Sequence, residues 1–69
     1  MTPFNGITLE SDLLCEPGLC IGYAPGQWMP AYMGRIGELI DLIRDGYPIE
    51  RVRLHPADVA EIAAAAVTH

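Results

Sequence analysis

Apolar and polar residues alternate in three short segments of the chain, as they do in half-buried β-strands. The segments cover residues 7–10, 19–23 and 51–55. Pro17 and Gly18 lie between the first two segments and are typical of a turn. The pattern therefore predicts three strands, of which the first two form an antiparallel pair.

The alternation also predicts which side of two strands faces the core. Leu19, Ile21 and Tyr23 share one face of the second strand, opposite small residues, and we expect this face to be buried. In the third strand the inward residues are Val52 and Leu54. Its outward face then carries the polar residues Arg51, Arg53 and His55.

Two further segments have the period of an α-helix. The first is predicted to start at Pro30, because proline suits the first turn of a helix. Its apolar residues follow the i, i+3, i+4, i+7 spacing of a buried stripe, namely Ile36, Leu39, Ile40 and Ile43. It should end at Asp45 and Gly46, by the usual role of glycine after a helix. The second helix opens at Pro56, and its buried stripe comprises Val59, Ile62, Ala63 and Ala66.

The predicted order is β-β-α-β-α, and the predicted fold class is α+β. We expect residues 1–69 to form a single domain in which a three-stranded sheet packs against two helices. The expected core is drawn from both types of element: Ile7, Leu9, Leu19, Ile21, Ile36, Leu39, Ile40, Ile43, Val52, Leu54, Val59 and Ile62.

The composition narrows the class of function. A chain with 51% hydrophobic residues is too apolar for intrinsic disorder. Its formal charge of −5 argues against nucleic acid or an anionic membrane as a general partner, since both require a positive field. All positive charge is arginine, which suggests a GC-rich genome. The sequence shows no targeting signal, and we expect a cytoplasmic protein.

The sequence offers no catalytic set, and we expect neither an enzyme nor a cofactor. Cys15 and Cys20 are interpreted as reduced thiols at the edges of a turn, with a disulfide across the turn as the alternative. A zinc site would need four ligands, and only His55 and His69 are available to join the two cysteines. We therefore predict no metal site. His55 alone lacks the positioned partner that a general base needs.

An aromatic and methionine-rich segment around a Pro/Gly loop is the main candidate for function. Within residues 21–33 it places five large apolar side chains, which we predict to be partner-binding: Tyr23, Trp28, Met29, Tyr32 and Met33. Tyrosine, tryptophan and methionine are enriched at interface cores. The same residues would also serve as the protein's own core or as a homodimer contact, and the sequence leaves these alternatives open.

A second candidate surface is formed by Arg51, Arg53 and His55. Residues 51–67 resemble the start of a ribbon-helix-helix DNA-binding protein, in which a basic strand is followed by two helices. Only one helix follows here, and the overall charge is acidic. The alternative is that the arginines protect an edge strand from unwanted pairing.

The opening residues 4–12, FNGITLESD, and the turn at residues 17–22, PGLCIG, resemble the small orphan accessory proteins of bacteriophages that infect actinobacteria. This resemblance covers about the first third of the chain and implies no particular site residues. It implies a phage-encoded interaction module that binds and modulates a host protein in the host cytoplasm. The alternatives are a structural virion component and a small DNA-binding regulator.

Overall fold

The computed structural model describes Phe4 and residues 6–67, with side chains up to residue 64. This part of the chain contains four strands and two helices. In chain order they are β1 (Thr8–Ser11), β2 (Leu19–Tyr23), β3 (Tyr32–Arg35), α1 (Ile36–Arg44), β4 (Arg51–Leu54) and α2 (Pro56–Val67). The α+β class and the two helices are confirmed, but the sheet has four strands where three were predicted.

The additional strand, β3, occupies residues that were assigned to the first turn of a helix. Instead of starting at Pro30, α1 starts at Ile36. Glycine is among the poorest helix formers, so Gly34 and Gly37 weaken a helix in this region. Antiparallel pairing with β2, which sets Tyr32 opposite Gly22, gives these residues hydrogen-bond partners that a frayed helical turn lacks.

The strands are arranged in the order β1-β4-β2-β3. The sheet is mixed, because β4 runs parallel to β1 and antiparallel to β2. The predicted β1–β2 pair is therefore wrong, since β4 lies between these strands. The parallel pairing with β4 continues one residue past β1, where the Asp12 amide donates a 2.9 Å hydrogen bond to the Leu54 carbonyl.

Helix α1 carries the predicted apolar stripe, with Leu39 fully buried and Ile36, Ile40 and Ile43 packed around the core. It ends as predicted, at Asp45 and Gly46. Two terminal hydrogen bonds close the helix, from the Gly46 amide to the Ile43 carbonyl and from the Tyr47 amide to the Leu42 carbonyl, both 3.0 Å. This is the Schellman arrangement, and it requires the positive φ of 96° that Gly46 adopts.

Both helices cover the same face of the sheet. The core between the layers is a cluster of six buried residues, Phe4, Cys20, Leu39, Ile49, Val52 and Leu54. Val59 and Ile62 of α2 pack against it as predicted. The predicted stripe of α2 continues to Ala66, which lies outside the described side chains.

The buried face of β2 is the opposite of the predicted one. Cys20 pairs with Leu54 and Gly22 with Val52, and residues opposite each other in a sheet share a face. Cys20 and Gly22 therefore face the helices, and Leu19 is 39% exposed on the other side. The small residues face inward because α1 and the segment before β4 pack closely against β2.

Candidate interaction surface

The sheet face away from the helices, here called the open face, presents two chemically different halves. The register of the strands places Arg51 and Arg53 of β4 beside Tyr23 and Ile21 of β2. Met33 of β3 lies next to Ile21. One half of the open face is therefore charged, and the half formed by β2 and β3 is apolar except for Arg35, which lies opposite Leu19.

The charged half is neutralised by contacts between neighbouring strands. Arg51 lies 3.3 Å from Glu10, and Arg53 lies 3.8 Å from both Glu10 and Asp12. The two guanidinium groups also cover the ring of Tyr23, at 4.3 Å and 5.8 Å from its centre. Two of the four arginines are thus committed to contacts within the fold.

The apolar half contains a shallow cavity of about 410 Å³. Its apolar walls include Leu14, Leu19, Ile21 and Met33, and Glu16 is among the other lining residues. Leu14 is 93% exposed and Met33 is 69% exposed. Large apolar side chains that cluster around a concave surface are typical of a binding site for another protein.

The loop between β2 and β3, residues 24–31, carries two further exposed apolar side chains, Trp28 and Met29, at 82% and 59%. Its backbone is held at Gly26 and Gln27 by side chains at the start of β4. The Gly26 amide donates to a Glu50 carboxylate oxygen at 3.3 Å, and Arg51 donates to the Gln27 carbonyl at 3.4 Å. The loop backbone is therefore anchored just before Trp28, whose side chain lies outside the core.

The structure separates the five predicted partner-binding residues into two groups. Trp28, Met29 and Met33 are exposed and lie on the loop or on the strand that follows it. Tyr23 is only 7% exposed, beneath the arginines, and offers little surface to a partner.

Tyr32 is the second member of the group that is not on the exposed surface, because its side chain is turned toward the helices. Its hydroxyl group donates to the Arg35 carbonyl and contacts a Glu38 carboxylate oxygen, both at 3.0 Å. Burial and the Glu38 contact raise the pKa of Tyr32. The ring lies across Gly34, where an added Cβ would be 2.6 Å from the hydroxyl oxygen. Tyr32 thus fills the space that Gly34 leaves on this face.

Leu13 and Leu14 were not identified as surface residues from the sequence. Both are strongly exposed, at 79% and 93%, and Leu14 forms part of the cavity wall. The residues between the first two predicted strands were interpreted only as a turn, from Pro17 and Gly18. Two adjacent leucines in a turn of a small domain are the signal that indicates an exposed apolar contact there.

The two cysteines are free thiols with different surroundings. Cys20 is 2% exposed, and its burial, followed by the nearby Cys15 and Asp58, raises its pKa to about 11. Burial and the Asp12 carboxylate also raise the pKa of Cys15. Since the thiolate is the reactive form, neither environment favours a nucleophile.

His55 has a structural contact at the start of α2. Its Nδ1 atom accepts a 3.0 Å hydrogen bond from the Ala57 amide. This places His55 at the helix N-cap, where a side-chain acceptor satisfies a free amide. Within the described ranges no group of three or more histidine, cysteine, aspartate or glutamate residues is placed to hold a metal ion. His69, considered above as a ligand, lies outside them.

The fold and the site define a small two-layer α+β domain with an apolar surface on one side of its sheet. No family model, curated protein or solved structure matches the chain. Neither of the helices in the described part is long and apolar enough to cross a membrane.

Proposed function

We propose that this protein is a non-enzymatic protein–protein interaction module that binds another protein through its exposed apolar side chains, Trp28 and Met29 of the β2–β3 loop and Met33 and Leu14 at the cavity. The observation that carries the proposal is the exposure of these four side chains, from 59% to 93%, on a domain of 69 residues. A chain of this size has a marginal core and needs most of its apolar side chains to form it, so few can be left exposed. Leaving such residues in water favours association with a partner.

The anchoring of the β2–β3 loop supports the same function. A partner gains more from a side chain whose position is already fixed, because less conformational entropy is lost on binding. The contacts of Glu50 and Arg51 with Gly26 and Gln27 restrict the loop backbone next to Trp28. Tryptophan is one of the residue types enriched among binding hot spots, and Trp28 is the only tryptophan in the chain.

The resemblance to phage accessory proteins supports a host protein as the partner, within the host cytoplasm. The alternative of a virion component follows from that resemblance alone, and purified particles would then contain the protein in stoichiometric amounts. The alternative of DNA binding by Arg51 and Arg53 gains no support from the site, because Glu10, Asp12 and Tyr23 already engage both side chains.

Affinity capture from host lysate with wild-type protein and a Trp28→Ala variant tests the proposal. Losing a hot-spot tryptophan costs about 2 kcal/mol or more of binding energy, which is roughly 30-fold in affinity. We therefore expect a captured host protein to be lost with Trp28→Ala. The urea midpoint should stay unchanged, because the side chain is 82% exposed.

The matched control is Tyr47→Ala, which removes another exposed aromatic side chain, after α1. It should leave capture intact. If both variants retain the partner, or both lose it, the proposed surface is wrong. Light scattering over a concentration series distinguishes self-association, since a dimer that dissociates on Trp28→Ala would assign this surface to a second copy of the chain.

A further inference from the structure

The outer edge of β3 has unused main-chain hydrogen-bonding groups. β3 is the last strand of the sheet and has a neighbour on one side only, β2. The Ile36 amide donates to the Gly18 carbonyl at 3.2 Å, and hydrogen-bonded pairs recur at every second residue of an antiparallel ladder. Gly34 and Tyr32 therefore bond to β2, and Met33 directs its N–H and C=O groups away from the sheet.

The side chains of β3 give this edge little protection. Natural edge strands are usually shielded by lysine, by proline or by a bulge. β3 reads Tyr-Met-Gly-Arg, and its single charge is Arg35 at the end. Each edge strand is packed by a helix, β1 by α2 and β3 by α1, but β1 also carries Glu10 at its centre. The unshielded edge is the one next to the apolar cavity.

Charge indicates what kind of chain fits this edge. Glu16 lines the cavity on the open face, and Glu38 lies near the β3 edge on the helix side, where it contacts the Tyr32 hydroxyl group. In the described part of the chain neither carboxylate has a basic group within 4 Å. A second copy, with its own formal charge of −5, would add repulsion at this position.

We infer that β3 is a strand-addition site, at which an extended segment of the partner protein, with apolar side chains alternating with lysine or arginine, pairs with the main chain of Met33. Its apolar side chains lie against Met33 and the cavity on the open face, and its basic side chains, which alternate onto the helix side, meet Glu38. Main-chain hydrogen bonds then supply affinity, and the flanking side chains supply specificity. The inference rests on the proposed function and specifies the form of its ligand.

The inference is tested by selecting peptides from a displayed random library. The peptides are about ten residues long, which covers a typical strand and its flanks. Wild-type protein is the bait, and enriched peptides are then synthesised. We expect them to alternate apolar and basic residues. Hydrogen exchange followed by NMR should show the Met33 amide protected in the complex and unprotected in the free protein.

Two variants of one residue separate main-chain pairing from side-chain contact. Met33→Pro removes the outward N–H at a position where an edge strand tolerates proline, and Met33→Thr keeps that N–H but removes the apolar side chain. Peptide affinity should fall about tenfold or more with Met33→Pro and clearly less with Met33→Thr. Far-UV circular dichroism and the urea midpoint verify that both variants are folded.

Three results would overturn strand addition: no enriched peptide, equal losses with the two Met33 variants, or an unprotected Met33 amide in the complex. Each is distinguishable from failure of the proposed function, because capture of a host protein depends separately on Trp28. A peptide lost only with Trp28→Ala would leave the interaction module in place and remove the strand-addition site.

Discussion

Replacing Gly22 by alanine would add one methyl group at the tightest contact between β2 and the core. A Cβ at this position would lie 3.2 Å from Leu39 Cδ1 and 3.3 Å from Ile49 Cδ1. Ordinary contacts between carbon atoms are about 3.5–4.0 Å. Leu39 is fully buried and Ile49 is 9% exposed, so neither side chain moves away freely.

Two opposing effects determine the size of the change. Overpacking a core costs about 1–3 kcal/mol. Replacing glycine where the backbone accepts alanine recovers about 0.4–1 kcal/mol through the unfolded state, and Gly22 is not among the glycines with positive φ. We therefore expect Gly22→Ala to lower the free energy of unfolding by about 1 kcal/mol, or ~4–8 °C in Tm for a domain of this size.

Gly37→Ala is the matched control. Gly37 lies in the first turn of α1, and a Cβ there would meet nothing within 4 Å. Alanine in this helix should raise the free energy of unfolding by about 0.5 kcal/mol. Urea unfolding followed by far-UV circular dichroism measures both variants. Fluorescence is the poorer probe, because Trp28 is exposed in the folded protein.

A double-mutant cycle identifies the contact itself. Ile49→Val removes Cδ1, one of the two atoms that crowd the new methyl group. Alone it should cost about 0.5–1.5 kcal/mol, and in the Gly22→Ala background it should cost measurably less. A Gly22→Ala protein as stable as wild type, or a cycle without coupling, would refute the close packing of Gly22 against Leu39 and Ile49.

Two further predictions concern side chains near the start of β2 and of α2. With Cys15→Ser, thiol labelling at pH 8 should report only Cys20 and should be as slow as the opening of the protein; rapid labelling of the folded protein would contradict the burial of Cys20. Because burial raises the Cys20 pKa from 9.0 to about 11, the stability that the buried thiol contributes is complete below pH 9 and is lost as the pH rises toward 11. His55→Ala should lower the free energy of unfolding by about 0.5–2 kcal/mol, because the Ala57 amide loses its acceptor. His55→Asn retains a side-chain acceptor and should lose clearly less stability; equal losses in the two variants would exclude capping as the reason.

Elements with strong local patterns were predictable from the sequence. The stripe of Leu39 and its neighbours specified α1, the alternation around Val52 and Leu54 specified β4, and Pro56 marked the start of α2. In each case the apolar residues that form the sequence pattern are also the residues that pack into the core. Local pattern and tertiary packing then favour the same structure.

The sequence was insufficient where the pattern allowed two solutions. The alternation in β2 shows that its two faces differ, but the larger side chains of Leu19 and Ile21 suggested the wrong face as the buried one. That choice depends on how closely α1 approaches Gly22, which is a tertiary property. For the same reason β3 was missed, because its four residues become a strand only through pairing with β2.

The segment that carries the candidate site was identified from the sequence, but whether its side chains are buried or exposed was left open. Exposure of Trp28, Met29 and Met33 agrees with the hypothesis of a contact surface. The burial of Tyr23 depends on Arg51, which comes from a strand 28 residues further along the chain. No local reading of the segment around Tyr23 contains that information. The outward contribution of Leu14 likewise depends on the path of the turn after β1.

The position of β4 in the middle of the sheet has a consequence for how the chain folds. Its neighbours β1 and β2 are not bonded to each other, so the first strand has no partner in the sheet until residues 51–54 arrive. Non-local parallel pairing closes a long loop and slows folding. β2 and β3 can pair before β4 is synthesised, whereas β1 joins the sheet only when β4 is present.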